Sequence, residues 1–235
     1  MNPNTALPKT ALIVGTGSGL SASLARLFAR NGLQVAMASR NPDRLAKLAE
    51  ETAGTTFACE ATEPEEVAAL FDVVITTQGV PDIVVYNASG RARGPVTELD
   101  PAAVRDAIMV SAYGGFLVAQ QAARYMQQRG SGTILLTGAS ASVKGYPNSS
   151  SFAMGKFALR GLAQSLAREL SPKNIHVAHF VIDGAIRSAG RPDPADNPDS
   201  TLDPDAIAET YWNIATQSRS AWTWEVELRP WVEKF

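Results

Sequence analysis

The residues with the clearest chemical potential are Gly15-Thr16-Gly17-Ser18-Gly19-Leu20-Ser21. Glycines at this spacing permit a tight turn with positive φ and keep side chains out of the way of a phosphate. The run before them, Thr10-Ala11-Leu12-Ile13-Val14, is short, apolar and rich in strand formers. It predicts a buried strand. After the turn, Leu24, Leu27 and Phe28 share one face at helical spacing. Strand, glycine turn and helix together can cradle a nucleotide diphosphate, because the helix start offers free N–H groups and a positive dipole end. Such turns also join strands to helices with no ligand, so the motif needs support from elsewhere in the chain.

That support comes from the elements that would position the turn. Further strands are predicted over 34–38, 55–59, 82–86, 132–137 and 175–182, with 224–228 as a last alternating segment. Between them lie helical patterns. One starts at Asn41-Pro42, with Asn as cap, and one at Thr62-Glu63-Pro64-Glu65, read as a capping box. A long helix runs from Asp100-Pro101 to about Gln128, and another from about Ser151 to Leu170, with the serine run 149–151 read mainly as capping. A last helix runs from Asp203-Pro204 through Ile214. Alternation of this kind implies an α/β fold: a doubly wound, Rossmann-type parallel sheet, as a single domain over 1–235. Residues 187–204 hold Pro192, Pro194 and Pro198 among several aspartates and read as a mobile substrate loop. In such a sheet ligands sit at the C-terminal ends of the strands. The polar and glycine-rich segments 15–21, 39–40, 87–90, 138–150 and 183–188 all fall there. Their convergence points to nucleotide binding.

Composition narrows the partners. The chain has 235 residues, 45% apolar and 19% charged, with a formal charge of -2. That suits one soluble globular domain and offers no basic face for nucleic acid. One cysteine, Cys59, excludes an internal disulfide and fits a reducing, cytoplasmic setting. Met1-Asn2-Pro3-Asn4 does not read as a signal peptide, and no stretch reads as long and apolar enough for a bilayer, so no membrane partner is expected. His176 and His179 are an odd number apart on a predicted strand and so face opposite ways. No metal site is expected, and both read as satisfied, buried histidines.

These residues resemble the short-chain dehydrogenase/reductase family over nearly the whole chain. The family's Gly-x-x-x-Gly-x-Gly pattern falls on Gly15 to Ser21, with Ser21 in the third glycine position. Its Asn-Asn-Ala-Gly motif falls on Tyr86-Asn87-Ala88-Ser89, its Pro-Gly turn on Asp183-Gly184 and its later Thr on Ser188. Its Tyr-x-x-x-Lys signature falls on Phe152-Ala153-Met154-Gly155-Lys156. The resemblance implies a dinucleotide site built from Gly15, Gly17, Ser18, Gly19, Leu20, Ser39, Arg40, Glu60, Ala61, Asn87, Ala88, Ser89, Lys156, Gly184, Ile186 and Ser188. It also implies a small carbonyl or alcohol substrate, and a homodimer or homotetramer assembled through the two long helices.

The departures fall on the chemistry. In the family a Tyr hydroxyl protonates the carbonyl oxygen, a Lys lowers its pKa, a Ser orients the substrate and an Asn holds a relay water. Here the Tyr position is Phe152, which has no exchangeable proton; the Ser position is Ala139 and the Asn position Ser111. Only Lys156 matches. Three groups could take over: Lys156 as a cation beside a developing alkoxide, Ser140 orienting substrate, and Tyr146 swinging in as proton donor. Ser39-Arg40 follow the second strand, where an Asp would read the ribose hydroxyls and repel a phosphate. A guanidinium instead pairs with a phosphate, so NADP is expected over NAD. The expectation is an NADP-dependent carbonyl/alcohol oxidoreductase lacking the usual proton donor. The alternative is a weak or inactive dinucleotide-binding protein, such as a redox sensor or a partner-stabilising subunit.

Overall fold

The computed structural model describes residues 7–234. The reading of Met1-Asn2-Pro3-Asn4 lies outside the described residues. Strands β1 (Thr10–Val14), β2 (Gln34–Ser39), β3 (Thr55–Ala58), β4 (Ile83–Tyr86), β5 (Gly132–Thr137), β6 (Ile175–Ile182) and β7 (Glu225–Leu228) form one sheet. Its order is β3-β2-β1-β4-β5-β6-β7 and each neighbouring pair is parallel. Parallel pairing requires crossovers, and helices supply them on both faces. Helices α1 (Leu20–Arg30), α2 (Ala46–Thr52) and α7 (Pro204–Ala215) cover one face. Helices α3 (Pro64–Gln78), α5 (Gly114–Arg129) and α6 (Ser150–Leu170) cover the other. Because the strands are covered on both sides, β1, β4 and β6 are buried along their whole length. This explains why they read as continuous apolar runs rather than alternating ones.

The order of strands reverses between β1 and β4, and the crevice opens there. Gly15 has φ +86°, and a Cβ on it would lie 2.3 Å from the backbone N of Ala88. Only glycine lets the turn after β1 sit this close to the end of β4. Asn87 Nδ2 donates to Ser21 Oγ at 2.6 Å, and Ser21 Oγ donates to the Gly15 carbonyl at 3.1 Å. Ser21 therefore clamps the turn to β4.

Several local expectations are corrected. The residues after Asn41 form a 3-10 turn (Pro42–Leu45) before α2, and the Asn41 side chain makes no cap bond. The cap of α3 is Glu63, not Thr62, and no side chain caps it. Ser149 precedes α6 without a side-chain cap bond. The long fourth helical segment is α4 (Pro101–Ile108), a π-helical turn (Met109–Tyr113) and α5, run together. By length and composition alone, Pro101–Arg129 could cross a membrane. This overturns the expectation that no stretch qualifies. Here Leu117, Val118, Ala122 and Met126 on one face of it are packed into the core.

Gly15→Ala should cost roughly 2–4 kcal/mol, combining positive-φ strain with a backbone clash. Urea melts of the variant against wild type check this. A loss under 0.5 kcal/mol, taken as about the size of a neutral surface change, would mean that the close approach is not required.

Candidate functional site

The crevice is a cavity of about 560 Å³. Gly15, Thr16, Gly17 and Ser18 line one wall, and Asn87, Ala88 and Ser89 face them from the end of β4. Ser39, Arg40, Glu60 and Ala61 line the far end, from the ends of β2 and β3. A Cβ on Gly17 or Gly19 would meet no atom within 4 Å, so this surface is bare. Gly19 caps α1 and Leu20 is its first residue, with its side chain turned into the core. The cavity thus ends on backbone N–H groups at a helix N-terminus, a setting for an anion. Ser39 Oγ is buried beside the cavity and has no hydrogen-bond partner. These features fit a pyrophosphate-bearing dinucleotide.

Arg44, on the 3-10 turn after β2, lines the same end as Arg40. Sequence reasoning missed it, because helical periodicity gave no reason to turn that side chain toward the crevice. Arg40 lies 4.0 Å from Glu60, but its side chain is 77% exposed, so this ion pair contributes little. Cys59 also lines the cavity; burial, then Glu66 and Glu60, push its thiol up to about 11. It stays protonated and unreactive.

Lys156 is buried near the end of β5, and its ammonium donates to the Thr137 carbonyl at 2.7 Å. Burial, and then the Arg91 guanidinium, push its pKa down to about 7. The Phe152 ring, one helical turn earlier, has its centroid 5.9 Å from the Lys156 ammonium. Arg91 Cζ lies 3.8 Å from the same centroid. Behind Lys156 runs a buried network. His179 Nδ1 is 3.0 Å from Glu225, and Arg160 donates twice to that carboxylate, at 2.6 and 2.8 Å. Burial opposes ionisation of Glu225, but these partners, Arg160 first, still hold its pKa below the usual range. Among the described residues His179 Nε2 has no hydrogen-bond partner, and neither does His176 Nδ1. The expectation of fully satisfied histidines is therefore half corrected. A Cβ on Gly138 would lie 2.2 Å from His179 Nε2, which explains a glycine at the end of β5.

The other named residues lie outside the cavity lining. Ser140 opens a 3-10 turn (Ser140–Ser142) after β5. Tyr146 is 42% exposed on the following loop, its ring 5.8 Å from the Lys144 ammonium. Neither hydroxyl hydrogen-bonds Lys156 among the described residues. Lys144 in turn pairs with the buried Asp183 at 3.2 Å. Gly184, at φ +148°, packs against Pro230. Ile186 bridges to Leu202 and Ser188 to Arg191, so the segment 187–204 folds back on itself. Arg187 stitches that segment together, pairing with Asp193 at 2.9 Å and with Asp203.

Two hydroxyls that the sequence left without a firm role turn out to hold backbone. Ser111 Oγ accepts from Gly90 N at 3.0 Å. Ser151 Oγ accepts from Ala92 N at 3.0 Å and donates to the Ala92 carbonyl at 2.8 Å.

Comparison with known proteins agrees with this geometry. Residues 9–192 match the short chain dehydrogenase family. The chain belongs to the short-chain dehydrogenase/reductase family. A 7alpha-hydroxysteroid dehydrogenase of Escherichia coli (strain K12) is 32% identical over 183 residues, 76% of this chain and 71% of that protein. A short-chain dehydrogenase from Rhodopseudomonas palustris has a TM-score of 0.82 at 33% identity, over 95% of this chain and 99% of its own. An alcohol dehydrogenase from the archaeon Thermococcus sibiricus, solved with 5-hydroxy-NADP, has a TM-score of 0.83 at 24% identity, over 96% and 98%. The last is a likeness of fold. Nucleotide binding and an oxidoreductase fold are thus what this family membership supports.

Lys156 and His179 give stability a defined pH dependence. Both have folded pKa values below their ordinary ones, so the unfolded chain binds their protons more readily. Stability should rise with pH from about 4 to 6.5 through His179 and from about 7 to 10.5 through Lys156. Lys156→Met should flatten the alkaline rise alone, and His179→Gln the acid one alone, in denaturant melts across pH. Unchanged slopes would mean that these groups titrate normally.

Proposed function

We propose that the protein is an NADP-dependent oxidoreductase that interconverts a small carbonyl compound and its alcohol. The net reaction is carbonyl, NADPH and a proton giving alcohol and NADP. One observation carries the cofactor choice: Arg40 and Arg44 line the same end of the cavity whose other wall is the glycine turn. Two guanidiniums there suit an added phosphate on the adenosine ribose, and there is no Asp at the end of β2 to repel it. When bound, NADPH supplies the hydride.

Lys156 holds the nicotinamide ribose and acts on the reacting oxygen. One of its N–H groups is taken by Thr137, which leaves two. With its pKa near 7, the ammonium can give a proton to a forming alkoxide and regain it at neutral pH. It replaces the hydroxyl that Phe152 lacks. The alcohol and carbonyl class is supported by the dehydrogenase relatives, and NADP by the archaeal enzyme solved with an NADP derivative. Exposed Phe116, Met154 and Phe157 on α5 and α6 support a homodimer or homotetramer, and the unpaired Cys59 supports a cytoplasmic setting. The segment 187–204 serves as the substrate loop.

Purified protein should melt later with NADPH than with NADH. At a hundredfold excess over Kd the stabilisation is about 2.7 kcal/mol. Replacing Arg40 and Arg44 together by Ala should remove the difference. No shift with either nucleotide would sink the reading. On a panel of aldehydes and ketones, Phe152→Tyr should raise turnover, but by less than the roughly hundred- to ten-thousandfold of a positioned proton donor, because Lys156 already supplies part of that effect. Binding without turnover in both proteins would favour the inactive alternative.

A further inference from the structure

Arg91 is the least explained charged residue near the site. Its guanidinium lies over the Phe152 ring, 3.8 Å from the centroid, and the Lys156 ammonium is 5.9 Å from that centroid. The two cations are therefore within about 10 Å of each other. Arg91, Arg93 and Arg191 are all solvent-exposed; partial desolvation of the Arg91 guanidinium, then Arg93 and Arg191, lower its pKa from the ordinary value. Among the described residues no carboxylate pairs with Arg91, Arg93 or Arg191. By contrast Arg26, Arg129, Arg160 and Arg187 each have an acidic partner.

The backbone around Arg91 is also held firmly. Gly90 is fixed by Ser111, buried within the π-helical turn, and Ala92 by Ser151, buried at the start of α6. Gly94 N donates to the Asn148 carbonyl at 3.2 Å. Two fully buried hydroxyls thus fix the backbone on either side of one cationic side chain. Stacking on an aromatic face orients a guanidinium and leaves its in-plane N–H groups free, the geometry that grips a carboxylate with two bonds. A solvent-facing guanidinium seated on a ring, with no carboxylate partner among the described residues, is open to an anion from outside.

We propose that Arg91, stacked on Phe152 and backed by Arg93 and Arg191, binds the carboxylate of an anionic oxo- or hydroxy-acid substrate. This deepens the carbonyl–alcohol reading and rests on it for the reacting group. Phe152 is then the platform for a specificity residue. The phosphates of the dinucleotide are the other source of anionic oxygens. The bare glycine turn and the α1 N-terminus, on the far side of the β4 end, already serve those.

The test compares levulinate with its methyl ester, and terephthalaldehydic acid with its methyl ester. Each pair is measured by thermal shift with and without NADP and by NADPH consumption. Wild type should favour each acid over its ester by at least tenfold, in kcat/KM where there is turnover and in Kd otherwise. Arg91→Gln should abolish the preference, and Arg91→Lys should keep part of it. Both should keep the NADPH thermal shift. If Arg91→Gln does not fold, the wild-type pairs and Arg91→Lys decide the matter. Equal binding of acid and ester by wild type overturns the inference even where NADPH stabilises the protein. So does an Arg91→Gln variant that loses NADPH binding tenfold, because the guanidinium would then serve the cofactor. A failed NADPH shift sinks the cofactor reading alone, and the acid–ester comparison on the nucleotide-free protein still judges the anion site.

Discussion

The closeness of the turn after β1 to the end of β4 is the constraint on which the site depends. With 2.3 Å between a notional Gly15 Cβ and Ala88 N, no side chain fits. That contact brings the glycine wall and the Asn87–Ser89 wall into one cavity. The hydrogen bonds from Asn87 to Ser21 and from Ser21 to Gly15 lock it from the helix side. Gly15 N and Thr16 N both donate to the Ala38 carbonyl at 3.0 Å, tying the same turn to β2. Three strand ends are thus joined at one bend. The two arginines after β2 and the loop after β4 take their positions from it.

The second half of the site is built from lost hydroxyls and redirected ones. Phe152 and Ala139 make the surface beside Lys156 apolar. Ser111 and Ser151 use their oxygens on the backbone of residues 90 and 92. A serine whose only proton is given to a backbone carbonyl has none left to donate to a substrate oxygen. The charged groups on the Phe152 ring are a guanidinium and an ammonium, those of Arg91 and Lys156. The overall charge of -2 conceals this, because net charge reports the sum and not the placement.

Much of the fold was legible in the sequence. The strands from Thr10, Gln34, Gly132 and Ile175 declare themselves because burial on both faces demands unbroken apolar runs. The parallel doubly wound order follows from their alternation with helices. What escaped the sequence was local and polar. Thr62 resembles a cap, yet the chain caps α3 at Glu63 while Glu66 accepts from Glu60 N at 2.7 Å. The serines before α6 resemble caps too, but Ser151 reaches a loop 59 positions away. Arg44 and Arg91 lie outside any motif. Their relevance comes from tertiary placement, one on a 3-10 turn aimed at the crevice and one on a loop pinned over Phe152. The apolar span 101–129 shows the opposite error: a core helix interrupted by a π-turn is as apolar as a membrane segment.

The cationic end of the site also explains why Lys156 stands close to neutral. An ammonium with only a carbonyl for a partner loses much of its hydration energy, and a nearby guanidinium adds repulsion. Glu225, in the neighbouring network, is already matched by Arg160 and His179. The charge on Lys156 is therefore poorly compensated by the chain itself, and the lysine stands near the point of losing its proton. Any anion seated across Arg91, or phosphate in the neighbouring crevice, shifts that balance toward the ammonium. Ligand binding would thus load Lys156 with the proton that a forming alkoxide needs. The electrostatics that draw the proton off Lys156 would, with an anion alongside, return it.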